Sequence, residues 1–307
     1  MGGAGLVMTE ASAVEERRRI SAEDAGIYDD AHIASWRPIA EFVKSQGAVV
    51  GMQLAHAGRK GSTAPPWAGG KGVSLADGGW ERVAPSKTPF DTGYPVPRAL
   101  ELDEIRWIAA AFRRAAERAL EAGFQVVEIH AAHGYLIHEF LSPLCNSRED
   151  EYGGSFENRT RFALNVAKAI REVWPAHLPL FCRVSATDWV EGGWDLKQTI
   201  ELSKRLKPLG VDLIDVSSGG AVPYAKIPVG PGYQVAFAEA IRKEAGIATG
   251  AVGMITDPAQ ADTILATDQA DLVFLAREML RDPYWPRRAA KALDVKITGP
   301  VQYGRAW

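Results

Sequence analysis

Three of the chain's six histidines fall in one stretch, "VVEIHAAHGYLIHEF" (126–140), where His130, His133 and His138 surround Tyr135. Such a cluster could bind a metal, exchange protons, grip a carbonyl or anion, or simply pack. H-x-x-H at the end of an apolar run lacks the helical spacing of a zinc site, and H-E-x-x-H is absent, so the metal signal is weak. Packing or capping on one side, and acid–base or carbonyl-binding work on the other, stay open. Other apolar runs also end in polar side chains: Glu10, Gln53, Arg183, Ser217 and Arg277. Alternate strand residues share a face, which pairs Glu128 with His130, Gly51 with Gln53, and Phe181 with Arg183. If His130, Gln53 and Arg183 point inward, a cation, an amide and an imidazole surround one cavity. That set suits a planar polar ring or an anion, and it requires no carboxylate pair.

A second group follows the last two runs, in "GAVGMITDP" (250–258) and "LAREMLRDP" (275–283). Barrels often hold a phosphate at their final two loops. Gly253 would let backbone N–H groups approach it, and Arg277 would supply a charged fork. The alternative is a plain turn glycine and a surface cation; the shared location favours the anion site.

The elements that must carry these residues are legible. Apolar runs at 5–10, 48–54, 125–130, 178–185, 211–218, 247–253 and 271–276 read as strands of a parallel sheet buried on both faces. Helices are expected at 30–46, 103–122, 157–174, 195–208, 233–245, 257–267 and 282–293. The first turn of the 103–122 helix is assigned to Asp103 and its C-terminal turn to Gly123. Strict β–α alternation implies a parallel sheet. G-x-G-x-x-G after an early strand is absent, so a dinucleotide fold is disfavoured. Polar groups at many strand ends fit the C-terminal face of a (β/α)8 TIM barrel. Only seven strands are found, so the first β/α unit is expected to be absent, leaving an open edge. The chain reads as one domain, 1–307, with a long Gly/Pro-rich loop or capping excursion at 55–100 that is expected to line the entrance.

The chain has 307 residues, 47% hydrophobic, with a net charge of −3, which offers no basic surface for nucleic acid or anionic membrane. Its two cysteines, Cys145 and Cys182, are too few for a disulfide framework or an iron–sulfur cluster, and a reducing cytoplasm fits. No run approaches the roughly 18 apolar residues of a membrane span.

With these residues assembled, the chain resembles the old yellow enzyme family, in its short, cysteine-poor class II (thermophilic-like, xenobiotic reductase-like) branch. The shared strings are "EASAV" (10–14), "QLAHAGRK" (53–60), "EIHAAHGYLIHEFLSPLCNSREDEYGGSFENRTRF" (128–162), "RVSATDW" (183–189), "VDLIDVSSGG" (211–220), "PGYQVAFAEAIR" (231–242), "TGAVGMI" (249–255), "AREMLRDP" (276–283) and "PVQYGRAW" (300–307). The resemblance implies a TIM barrel holding FMN noncovalently, reduced by NADPH or NADH, that passes hydride to an activated C=C bond of an α,β-unsaturated carbonyl such as an enone or maleimide. It implies that Ala11 and Gln53 contact the flavin ring and that Arg183 faces its N1/C2 edge. Gly253, Met254, Ala276 and Arg277 would hold the phosphate, Ala276 standing where relatives often have glycine. His130 and His133 would bind the substrate carbonyl, and Tyr135 would place the substrate or donate a proton. Arg305 would reach the neighbouring subunit's site in a homodimer or homotetramer. His138 keeps the structural reading.

The family's N-terminal unit, with its redox-tuning Cys or Thr and substrate-stacking aromatic, is not found here, and neither Cys145 nor Cys182 can take that role. The chain is therefore expected to be a truncated or mis-started copy that holds FMN weakly or misfolds. The competing expectation is a non-catalytic, weakly flavin-binding remnant. A 2,4-dienoyl-CoA reductase-type flavoenzyme would need a cysteine cluster, and an aldolase-type barrel would need a strand-end lysine.

Overall fold

The computed structural model describes residues 1–305. In chain order it contains β1 (Leu6–Ala13), α1 (Ala31–Ser45), β2 (Val49–Ala55), β3 (Val83–Ala84), β4 (Arg98–Ala99), α2 (Leu102–Glu121), β5 (Val126–Ala131) and α3 (Leu136–Leu141). It continues through α4 (Phe156–Arg171), β6 (Leu180–Ser185), α5 (Leu196–Leu206), β7 (Leu213–Ser217), α6 (Val235–Ala245), β8 (Ala248–Ala251), α7 (Pro258–Ala266), β9 (Leu272–Val273), α8 (Arg277–Arg281) and α9 (Trp285–Ala292). The seven expected strands are all present and form one sheet in the order β1-β2-β5-β6-β7-β8-β9, every pair parallel. Among the described residues β1 and β9 each have a partner on one side only.

The two-residue side-chain period separates the two faces of this sheet. Val127, Ile129, Cys182, Val184, Ile214 and Val216 point outward into the main core beneath the helices. Inward-facing Leu6, Met8, Val126, Phe181, Leu213 and Ala248 meet Phe274 in a separate apolar cluster. Those residues come from both edges and the middle of the sheet, so the sheet is curled around them. The same parity places Gln53, Glu128, His130, Arg183, Ser185, Asp215 and Ser217 on the inner side, beyond that plug.

Several boundaries differ from the sequence reading. The N-cap of α2 is Glu101 rather than Asp103. The Glu104 carboxylate accepts from the Glu101 N–H at 2.8 Å, and this capping box fixes the first turn earlier. Two short helices were not anticipated. All six residues of α3 are buried, so it has no polar face to reveal its period. Helix α8 spans five residues, too few for a stripe. Strand β9 is shorter than expected, in keeping with its single pairing, to β8. The 55–100 excursion carries 3-10 turns at Gly58–Lys60, Pro66–Ala68 and Leu75–Asp77, and the β3/β4 pair.

Candidate active site

The strand ends converge as the alternation requires. Gln53 is in register with Glu128, His130 with Arg183, and Arg183 with Asp215. His130 and His133 stand edge to face with ring centroids 5.2 Å apart, and His130 meets Tyr135 the same way at 5.0 Å. Ala11 and Tyr135 line one small pocket with Arg18, Arg19, Ile20 and Asp24. Thus Ala11, Gln53, His130, His133, Tyr135 and Arg183 belong to one inner region.

Burial, reinforced by Arg183 and neighbouring cations, holds the His130 imidazole well below its usual range. Burial followed by His130 does the same for His133. Both rings are neutral at pH 7. The His130 Nδ1 accepts from the Ala132 N–H at 3.3 Å, which leaves the proton on Nε2. The His133 Nε2 lies 2.7 Å from Ser217 Oγ. Burial pushes the Tyr135 hydroxyl up to about 12, so it keeps its proton throughout the neutral range.

The turn that carries His133, Gly134 and Tyr135 is pinned from several elements. His133 has a left-handed backbone, φ 59°. Its N–H donates to Ser185 Oγ at 2.9 Å, and Ser185 donates onward to the Gly219 carbonyl at 2.8 Å. Its carbonyl and that of Gly220 both accept from Lys60 Nζ at 2.7 Å. Lys60 also lies 4.1 Å over the Phe90 ring. Burial, then the neighbouring Arg59, draw its ammonium down to about 8. The Gly134 N–H donates to His138 Nδ1 at 2.9 Å, and His138 Nε2 stands 2.9 Å from Asp188 Oδ1. Ser142 and the Trp194 N–H donate to the other Asp188 oxygen at 2.6 and 2.8 Å.

The inner face also carries two carboxyl groups beside the cation, amide and imidazole named from the sequence. Glu128 and Asp215, each 2% exposed, are buried beside Gln53 and Arg183, and Glu128 Oε2 and Asp215 Oδ1 are left without a hydrogen-bond partner among the described residues. Gln53 Nε2 donates to Glu128 Oε1 at 2.7 Å, and Arg183 pairs with Asp215 at 3.2 Å. The cause is topological: side chains from alternate strands share a layer inside a barrel.

The phosphate candidates follow the adjacent strands β8 and β9. Gly253 has φ +125° and its Cβ position lies 2.8 Å from Gln234 Nε2, while Met254 is left-handed at φ 52°. Ala276 has φ −105°, which an L-residue adopts, so no glycine is required there. Arg277 is exposed, and none of the ion pairs or side-chain hydrogen bonds found among the described residues involves its guanidinium. A turn with left-handed residues beside an unpaired guanidinium fits a phosphate, and an inward amide and guanidinium fit the polar edge of a flavin ring. Arg305 lies on the exposed tail after the 3-10 turn Val301–Tyr303. Cys145 and Cys182 are buried free thiols, both pushed up by burial. Among the described residues no His/Cys/Asp/Glu group is arranged to hold a metal ion, and no helix is long and apolar enough to cross a membrane.

Residues 1–296 match the family model described as NADH:flavin oxidoreductase / NADH oxidase. The chain belongs to that family. This flavin oxidoreductase is 52% identical over 307 residues to the NADPH dehydrogenase of Geobacillus sp. (strain WCH70), covering 100% of this chain and 85% of the relative. Among solved structures it superimposes on 2-naphthoyl-CoA reductase with a TM-score of 0.84 at 28% identity, over 95% of this chain and 45% of that one. An old yellow enzyme homologue from Zymomonas mobilis gives a TM-score of 0.77 at 28% identity, over 97% of this chain and 82% of that one. The expected FMN-dependent, nicotinamide-using oxidoreductase of old yellow enzyme type is therefore met at the level of the family.

Lys60, Ser185, Asp188 and Asp215 were missed as site-building residues. Each lies within a string that carried the resemblance, but only spatial neighbours reveal what each one holds.

Proposed function

We propose that this flavin oxidoreductase reduces activated C=C bonds of α,β-unsaturated carbonyl compounds, drawing reducing equivalents from NADPH or NADH. The observation that carries this reading is the placement of two neutral imidazoles and a protonated tyrosine over an inward amide and guanidinium. A bound FMN would accept hydride from the nicotinamide and deliver it to the substrate β-carbon. Ala11, Gln53 and Arg183 would hold its ring, and Gly253, Met254, Ala276 and Arg277 its phosphate. Arg183 supplies fixed positive charge where negative charge grows. His130 offers its Nε2–H to the substrate carbonyl, and His133 joins it by exchanging Ser217 for that oxygen. Their hydrogen bonds draw electron density from the β-carbon. Tyr135 is the protonated group available to the α-carbon. Arg305 would complete the site of a neighbouring copy in a homo-oligomer.

Anaerobic NADPH oxidation with cyclohexenone or a maleimide tests this reading. Turnover strictly dependent on the acceptor is expected. A flavin that NADPH reduces but that no enone or maleimide reoxidises would overturn it.

A further inference from the structure

Glu128 and Asp215 take no part in the reaction described above, yet they are buried on the inner face of the curled sheet beside Arg183. Their strands, β5 and β7, are separated by β6, and both side chains face the interior. Two acids buried away from water beside a single guanidinium cannot both ionise without leaving an unpaired negative charge, so the group holds one proton. Arg183 pairs with Asp215 whereas Glu128 has only the neutral Gln53 amide, so Glu128 is the side that carries it. Burial pushes it up to about 8, Asp215 adds to this, and Arg183 opposes it. Asp215 is also raised by burial, against the pull of Arg183.

The other groups facing the pair are fixed in charge, while Lys60, drawn to about 8, stands apart at the His133 turn and is common to wild type and every variant. Gln53 faces the pair from β2 as a neutral donor. Cys182 on β6 is kept a thiol by burial, and His130 on β5 is kept a neutral imidazole. On their inner faces β1 and β8 offer Met8 and Gly250, which do not titrate. With one proton present, Glu128, Asp215 and Arg183 sum to zero; without it the group carries one net negative charge. Glu128 Oε2 and Asp215 Oδ1 are buried with no donor of their own, so nothing else takes up that charge.

We propose that Glu128 and Asp215 form a one-proton reservoir behind Arg183 that couples reduction of the bound flavin to proton uptake by the protein. The proposal rests on the flavin placement given above. Arg183 has its charge divided between Asp215 and whatever anion forms in the cavity. Reduction puts negative charge there and weakens the hold of Arg183 on Asp215, so the pair binds its proton more tightly. By reciprocity, a deprotonated pair makes the flavin harder to reduce. The balance is complete: the nicotinamide supplies two electrons and one proton as hydride, and the proton on the pair comes from solvent.

Potentiometric titration of the FMN-loaded chain across pH tests the coupling, with Glu128→Gln and Asp215→Asn as separate variants. Glu128→Gln keeps the shape and the zero net charge at every pH. The wild-type midpoint should steepen by one proton per two electrons on the alkaline side of about 8. Glu128→Gln should match wild type on the acid side, lack that steepening, and lie above wild type on the alkaline side. Asp215→Asn should also lack it. Wild-type and Glu128→Gln lines that stay parallel throughout overturn the proposal. A second readout needs no flavin: infrared difference spectra of the ligand-free chain should show protonated carboxyl stretches that disappear on alkalinisation, and Glu128→Gln should remove the Glu128 component while leaving those of Glu15 and Glu139. Absence of the Glu128 component from wild type also overturns the proposal, whereas a chain that retains no FMN but shows that component removes only the flavin reading.

Discussion

At the scale of single protons, Tyr135 and the two imidazoles hold fixed states. With its hydroxyl pushed up to about 12, Tyr135 keeps its proton over the working range, and burial keeps His130 and His133 uncharged, as the proposed reaction requires. Replacing Tyr135 with Phe should slow reoxidation of the reduced enzyme by an enone about a hundredfold, the usual size of a general-acid contribution. Reduction by NADPH should stay unchanged, and stopped-flow measurement of the two half-reactions separates them. The sequence presented these residues as neighbours, since they share one strand end and turn. It could not present Lys60, which reaches the same turn from the loop after β2, or Ser185 from β6. Contacts that cross strands leave no periodic trace in a single chain.

At the scale of elements, the turn after β5 is the most constrained part of the site. Ser185 and Lys60 fix both backbone groups of His133, and the His138–Asp188–Ser142 chain fixes the N–H of Gly134. The structural reading of His138 is thereby given a definite content, as a fully buried residue that holds the turn. Gly134 has φ +71°, and its Cβ position falls on the carbonyl of Gly220. Gly134→Ala should therefore destabilise the protein by about 1–3 kcal/mol and spread the turns apart. Thermal melts would show the first effect and a raised enone KM the second. The long amphipathic helices were readable because one stripe of each is buried. Helix α3 was not, because all of its residues are buried and its boundaries are set by the turn it follows.

Across the whole molecule, buried acids govern the response to pH. Burial pushes Glu128 and Glu139 up to about 8 from 4.5. Each binds more protons folded than unfolded in that interval, so stability falls as pH rises through it. His56, His130 and His133 are held below 6.5 and act in the opposite sense only below that value. The melting temperature should therefore fall between pH 6.5 and about 8, and Glu128→Gln should flatten the decline. A flat wild-type profile in that window would remove both acids from the account. The order of strands along the chain, the parallel β–α plan and the polar residues at strand ends were all set by periodicity and composition, which act locally and survive in the sequence. Which inward side chains meet across the barrel was decided by the curl of the sheet. That curl brings Glu128 and Asp215 together from strands that are not neighbours, and it closes the apolar plug between residues as distant as Leu6 and Phe274. Only the tertiary structure determines such pairings, because they depend on the handed twist and curl of the sheet rather than on any spacing along the chain.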